Sequence, residues 1–327
     1  MKALICSAFG LIESLSVQEV PEPVIGCNQV LVDVQSASVN FPDALIVQGL
    51  YQVKPELPFS PGLELSGIIT EVGADVSTWK IGDRVMAVVE YGAFAEKCAV
   101  DANRLISLPE NISFTLGAAF MLTYGTALHA LKDRAKTSTS DIVLVLGAAG
   151  GVGIAAIQIA KQLGARVIAA ASTDEKTALC RELGADQVIN YTTESLGKCL
   201  KTLTDHRGVN VVVDSIGGER SEIALRNLGW QGRFLVVGFA SGTVPQIPLN
   251  LALLKEREIL GVYWGEAVKR NPSGHNENMR LLQTWLDDKC IMPFISDEVG
   301  LCDAAEVIKR IANREIRGKV VIHIAGQ

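Results

Sequence analysis

The chain has no Cys-x-x-Cys pair, and its seven cysteines, Cys6, Cys27, Cys98, Cys180, Cys199, Cys290 and Cys302, are odd in number and widely scattered. That spacing excludes a disulfide framework and a zinc knuckle and leaves reduced thiols. Nor does any segment reach the roughly 18 uninterrupted apolar residues of a membrane helix. The first residues, MKALICSAFG, carry a single lysine and too short an apolar stretch for a secretory signal, so a cytoplasmic location is expected. Basic runs are missing, and the net charge of -6 argues against a nucleic-acid surface. Low-complexity tracts and solenoid-period repeats are absent as well. What remains is 327 residues, 48% hydrophobic and 20% charged, enough for about two domains with a core each. Small-molecule chemistry is the class these absences favour.

Two textures divide the chain. Residues 1–121 are rich in β-branched residues, glycine and proline, with strand-like runs at 30–34, 67–72 and 84–88. Turn signals separate them: PEP at 21–23, SPG at 60–62 and KIGD at 80–83. This predicts a β-rich domain. From about Leu122, strands at 142–146, 166–170, 187–189, 209–214, 232–237 and 258–263 alternate with helices such as 151–163 and 174–183. Each of those two helices closes at a glycine in LGA. The alternation predicts an α/β domain over 122–266, a doubly wound parallel sheet with right-handed crossovers. A polar loop at 269–278, helices at 279–288 and 301–313 and a strand at 319–324 follow. Since the parallel sheet already has six strands, 267–327 is assigned to a return into the N-terminal domain.

The most informative stretch is DIVLVLGAAGGVGIAAIQIAKQLGA at 141–165. An unbroken apolar run suits a strand buried on both faces, and it feeds a glycine-dense turn opening an alanine-rich helix. Gly147, Gly150, Gly151 and Gly153 let the backbone approach a pyrophosphate, whose charge meets the free N–H groups of the helix start, Val152 included. The spacing departs from GxGxxG: aligned on Gly150 and Gly153, the first glycine position is Ala148.

Seven motifs in order carry a resemblance that spans nearly the whole chain: SVNFPD (38–43), PFSPGLELSGIITEVG (58–73), GDRV (82–85), AAGGVG (148–153), GADQVINY (184–191), VDSIGG (213–218) and RGKVVI (317–322). The sequence resembles the medium-chain dehydrogenase/reductase superfamily, in its zinc-independent NADPH:quinone oxidoreductase branch, which includes zeta-crystallin-like proteins. The resemblance implies a GroES-like β-rich domain beside a Rossmann domain, with the active site in the cleft between them. It also implies a homodimer, formed near 260–264. Zinc-dependent relatives have histidine where Leu63 stands and a cysteine near 40–43; Glu64 and Asp43 alone lack the histidine or cysteine partners of a zinc site. No metal is therefore expected, and reduction of an already electrophilic acceptor is favoured over alcohol oxidation.

At the end of the second sheet strand, where NAD-preferring proteins place an acid on the ribose, stand Ala170, Ala171, Ser172 and Thr173. Hydroxyls with Lys176 one turn later suit a 2′-phosphate, so NADPH is the expected cofactor. Asp174 and Glu175 are read as first-turn acids facing the helix dipole. By position, the resemblance adds Tyr191 over the same phosphate, Thr123 near the nicotinamide ribose, and Ser215, Gly238 and Phe239 at strand ends. It adds Arg317 at the adenosine phosphate and Tyr263, with Trp264, either toward the nicotinamide or at a subunit contact.

The reaction this implies is hydride transfer to a quinone or activated enone, with Asn40 holding a carbonyl and Tyr51 donating a hydrogen bond or stacking on the acceptor. Alternatives are reduction of an enoyl thioester, or a non-catalytic role that sequesters NADPH or contacts RNA. His129 is read as a packed histidine without an orienting carboxylate.

Overall fold

The computed structural model describes residues 1–324 and divides into two compact units: Met1–Leu122 with the chain from Pro293 onward, and Thr123–Met292.

The first unit is built on a sheet in which Gln29–Val39 is central. It pairs antiparallel with Glu64–Val72, Lys97–Asp101 and the last strand, Lys319–His323. Val320 lies opposite Val39 and His323 opposite Ser36, so the C-terminal strand completes the β-rich unit. Val30, Val32, Leu65, Val85 and Val320 are fully buried and form its core with Ile46, Phe94 and Ile308.

The second unit carries six parallel strands. In spatial order they are Gln187–Asn190, Arg166–Ala171, Ile142–Leu146, Val209–Asp214, Leu228–Val236 and Glu258–Gly261. Numbered along the sequence this is 3-2-1-4-5-6, the dinucleotide-binding order, whose switch point lies between Ile142–Leu146 and Val209–Asp214. Val143 through Leu146 have no exposed surface, because helices cover both faces of the sheet. The helix Gly151–Gln162 is itself buried from Gly153 through Ala160, and its alanines allow that close approach.

The expected loop at 269–278 is helical on both sides of Asn271, and the boundary expected at 267 falls instead at Pro293. Asn271 caps the helix Pro272–Asp287 by accepting from the Gly274 amide, with Pro272 at the first position. Asn278 bonds Asp133 and Lys132, while Met279, Leu282 and Leu286 are buried. Polar residues that resemble a loop in sequence thus serve as a cap and an interior network, tying this helix to the second unit.

Candidate functional site

The glycine turn sits at the switch point of the six-stranded sheet. Gly147 has φ of 68°, the left-handed region, and a Cβ there would stand 2.9 Å from the Ser215 hydroxyl and from Ile216. A Cβ at Gly153 would lie 2.3 Å from the Gly147 carbonyl oxygen, a backbone atom. The turn and helix therefore pack closely enough to require glycine at both positions. Gly150 is the N-cap of Gly151–Gln162, with no side-chain capping bond, and Gly151 and Val152 form the first turn. Their N–H groups lack intrahelical partners by position, as an anion cradle requires.

Next to it, at the end of Arg166–Ala171, Thr173 caps the helix Asp174–Glu182 and accepts from the Lys176 amide at 3.2 Å. Asp174 accepts from the Asn190 side chain at 2.7 Å, so this carboxylate is committed within the protein. Tyr191 follows the neighbouring strand, its amide donating to Ala171 O at 3.1 Å, and the Thr192 hydroxyl donates to Ser172 O at 2.8 Å. Ser172, Thr173, Lys176 and Tyr191 thus share one corner of the sheet. A residue not anticipated from sequence joins them: the Arg220 guanidinium lies 4.0 Å over the Tyr191 ring.

Beyond the switch point, Asp214 accepts from the amides of Ile216 and Gly217 and from the Ser221 hydroxyl at 2.5 Å, shaping the turn that carries Ser215. Ser215 donates to Leu146 O, beside the glycine turn. Gly238 and Phe239 leave the next strand, with the Gly238 amide on Asp214 O. Ser215, Gly238 and Phe239 therefore line the same carboxyl edge as the glycine turn. Tyr263 is 55% exposed after the last strand, whereas Trp264 is buried against Gly125. Thr123 is buried inside the helix Met121–Leu128, not at its N-cap. His129 does have an orienting carboxylate: Asp133 Oδ2 is 2.9 Å from Nδ1, one helical turn away. Burial opposes ionisation of Asp133, but hydrogen bonds from His129 and Asn278 outweigh it and lower its pKa. Arg317 belongs to the first unit and is exposed.

In the first unit, Asn40 and Lys319 meet within a buried polar cluster. Lys319, 3% exposed, donates to Asn40 Oδ1 and to the fully buried Glu64 at 3.2 Å. Glu64 also accepts from Ser38 Oγ at 2.8 Å and the Leu122 amide at 2.9 Å. Asn40 Nδ2 faces Ser38 O and Glu64, so both ends of its amide are engaged inside the unit. The Asn40 side chain is thus a member of the buried cluster, bonded to Lys319 at one end of its amide and to Ser38 and Glu64 at the other. Asp43 accepts from the Asn40 amide at 2.7 Å, and burial pushes its carboxyl up to about 7 despite the Lys319 charge. Tyr51 packs against the core of the same unit.

Residues 26–110 match the alcohol dehydrogenase GroES-like domain family, and 151–282 the zinc-binding dehydrogenase family. A rat quinone oxidoreductase-like protein 2 is 38% identical over 324 residues, covering 99% of this chain and 92% of that protein. Rat quinone oxidoreductase is 33% identical, covering 98% and 97%. The Escherichia coli quinone oxidoreductase solved with NADPH superposes with a TM-score of 0.92 at 28% identity, covering 99% and 100%. The chain belongs to the zinc-independent quinone oxidoreductase branch of the medium-chain dehydrogenases/reductases. This reductase is an oxidoreductase that uses NADPH. The cofactor fits the residues present, because close packing at Gly147 and Gly153 leaves a turn built of backbone, and Ser172 and Thr173 bring hydroxyls to the adjoining corner. Although one matched family is described as zinc-binding, the donor set does not suit zinc here. Leu63 is buried, an ammonium meets Asn40 and Glu64, and no group of three or more His, Cys, Asp or Glu side chains gathers among the described residues.

Proposed function

We propose that this reductase transfers hydride from NADPH to a quinone or to the β-carbon of an activated enone, with no metal. The observation that carries the reading is the Lys319–Asn40–Glu64 cluster. Its donors face a lysine ammonium, so this set supplies no Lewis acid and the acceptor must be electrophilic already. Bound NADPH supplies the hydride. The amides of Gly151 and Val152 hold the pyrophosphate, Ser172, Thr173, Lys176 and Tyr191 hold the 2′-phosphate, and Thr123, Ser215, Gly238 and Phe239 orient the rest. Tyr51 orients the acceptor, Asn40 positions the start of the helix Phe41–Val47 at which it stands, and Arg317 supplies a cation to the adenosine phosphate. Mixed with a panel of quinones, enones and enoyl thioesters, the protein is expected to oxidise NADPH fastest with quinones or enones, followed by its absorbance. Turnover confined to enoyl thioesters, or none at all, refutes the reading.

We also propose a homodimer formed through the edge strand Glu258–Gly261. Among the described residues this strand pairs on one side only, and Ile259, Tyr263 and Trp230, exposed by 41%, 55% and 62%, lie on or beside it. Light scattering is expected to give twice the chain mass, and Ile259→Lys to return the monomer; a monomeric wild type rules the dimer out.

A further inference from the structure

We infer that Arg220 is a second cation reading the cofactor's 2′-phosphate and that, held on Tyr191, it sets the preference for NADPH over NADH. The inference rests on the assignment of that phosphate to the Ser172–Lys176 corner. Arg220 is the second residue of the helix Glu219–Arg226, and no carboxylate pairs with it among the described residues. Glu222, on the same helix, is taken by Arg226 at 2.6 Å. A guanidinium that is neither paired nor fully solvated needs another reason for its place, and here the Tyr191 ring provides it at 4.0 Å. An aromatic under one face leaves the edge N–H donors available, in the planar arrangement that matches phosphate oxygens.

Both partners are held in advance. Tyr191 is tied through its amide to Ala171, and its neighbour Thr192 to Ser172. On the other side Ser221, next to Arg220, is pinned to Asp214, which also holds the amides of Ile216 and Gly217. The nearby acids are largely spent within the protein: Asp174 on the Asn190 side chain and Glu194 on the Asn190 amide. The remaining acids at these helix starts, Glu175 and Glu219, are exposed. Arg220 thus brings a guanidinium, unpaired among the described residues, to the Tyr191 side of the corner, and a dianionic phosphate suits it better than a ribose hydroxyl.

The test compares 2′,5′-ADP with 5′-ADP, and NADPH with NADH, by calorimetric or fluorescence titration of the full chain. Arg220→Gln is expected to weaken 2′,5′-ADP and NADPH by about ten- to a hundredfold, the range of a charge-assisted hydrogen bond, with 5′-ADP and NADH changed less than about twofold. Arg220→Lys, which keeps charge without the planar fork, is expected to fall between. Equal losses for both members of each pair, or no loss, overturn the role of Arg220. A wild type that binds 5′-ADP as tightly as 2′,5′-ADP instead overturns the phosphate assignment itself, so the two failures are told apart.

Discussion

Gly153→Ala is expected to lower affinity for NADPH and NADH alike by about ten- to a hundredfold. The added carbon would lie 2.3 Å from Gly147 O and 2.7 Å from Ala148 Cα, and both are backbone atoms. The turn cannot yield cheaply, because Ala148 N is bonded to Ala170 O and Gly150 N to Gly147 O. Relief requires helix and turn to separate, which costs about 1–3 kcal/mol as overpacking and withdraws the amides from the pyrophosphate. Since both cofactors share the pyrophosphate, they suffer equally, unlike the selective loss expected at Arg220. Gly150→Ala is the contrast: its Cβ would meet Gly147 O at 3.4 Å and its φ is -82°, so the fold accepts it with little loss of thermal stability. Fluorescence titration and thermal melting of the two variants separate the cases. Wild-type cofactor affinity in Gly153→Ala would show that the turn does not hold the cofactor.

What could be read from sequence was what depends on neighbours along the chain. The strands Ile142–Leu146, Val209–Asp214 and Arg84–Val88 fall where apolar runs place them, since burial on both faces leaves few polar interruptions. The glycine turn and the Ser172, Thr173 and Lys176 corner were legible because strand, turn and helix are contiguous. The first turns of the helix Pro272–Asp287 were not, because Asn271, His275 and Asn278 are polar for capping and interior contacts that appear only once the helix is packed; its second half was read as a helix at 279–288. Arg220 on Tyr191 and Lys319 on Glu64 join residues far apart in sequence, and no periodicity announces them. The His129–Asp133 pair has the i,i+4 spacing of a helical contact and could have been read. The partners of Asn40, Lys319 and Glu64, come from strands that only the fold brings together.

Lys319→Met is expected to destabilise the first unit by about 3–5 kcal/mol, the cost of stripping one partner from a buried ion pair. The side chains of Lys319 and Glu64 are 4% and 0% exposed, so water cannot replace the ammonium. Glu64 would keep Ser38 and the Leu122 amide, but Asn40 Oδ1 would lose its donor. Glu64→Gln leaves the ammonium as the uncompensated charge and is expected to cost a similar amount. The double variant should recover much of the loss, which urea denaturation arranged as a double-mutant cycle measures. Additive losses would mean that the two residues do not act as a pair. Asp43 adds a pH signature: burial first, then the nearby Glu64, hold its carboxyl at about 7 against an ordinary 3.8, while Lys319 pulls it down. Because the folded value lies above the unfolded one, the native state binds the extra proton between about pH 4 and 7. Stability therefore falls as pH rises through that window, by up to about 1.4 kcal/mol per pH unit. Removing the Lys319 charge raises the carboxyl further and extends the fall above pH 7, whereas Asp43→Asn removes this contribution. A Lys319→Met loss that is the same at pH 6 and pH 9 would separate Asp43 from the cluster. A steeper loss at pH 9 would make the lysine the counter-charge for both carboxylates, in the segments that bear Asn40 and Glu64.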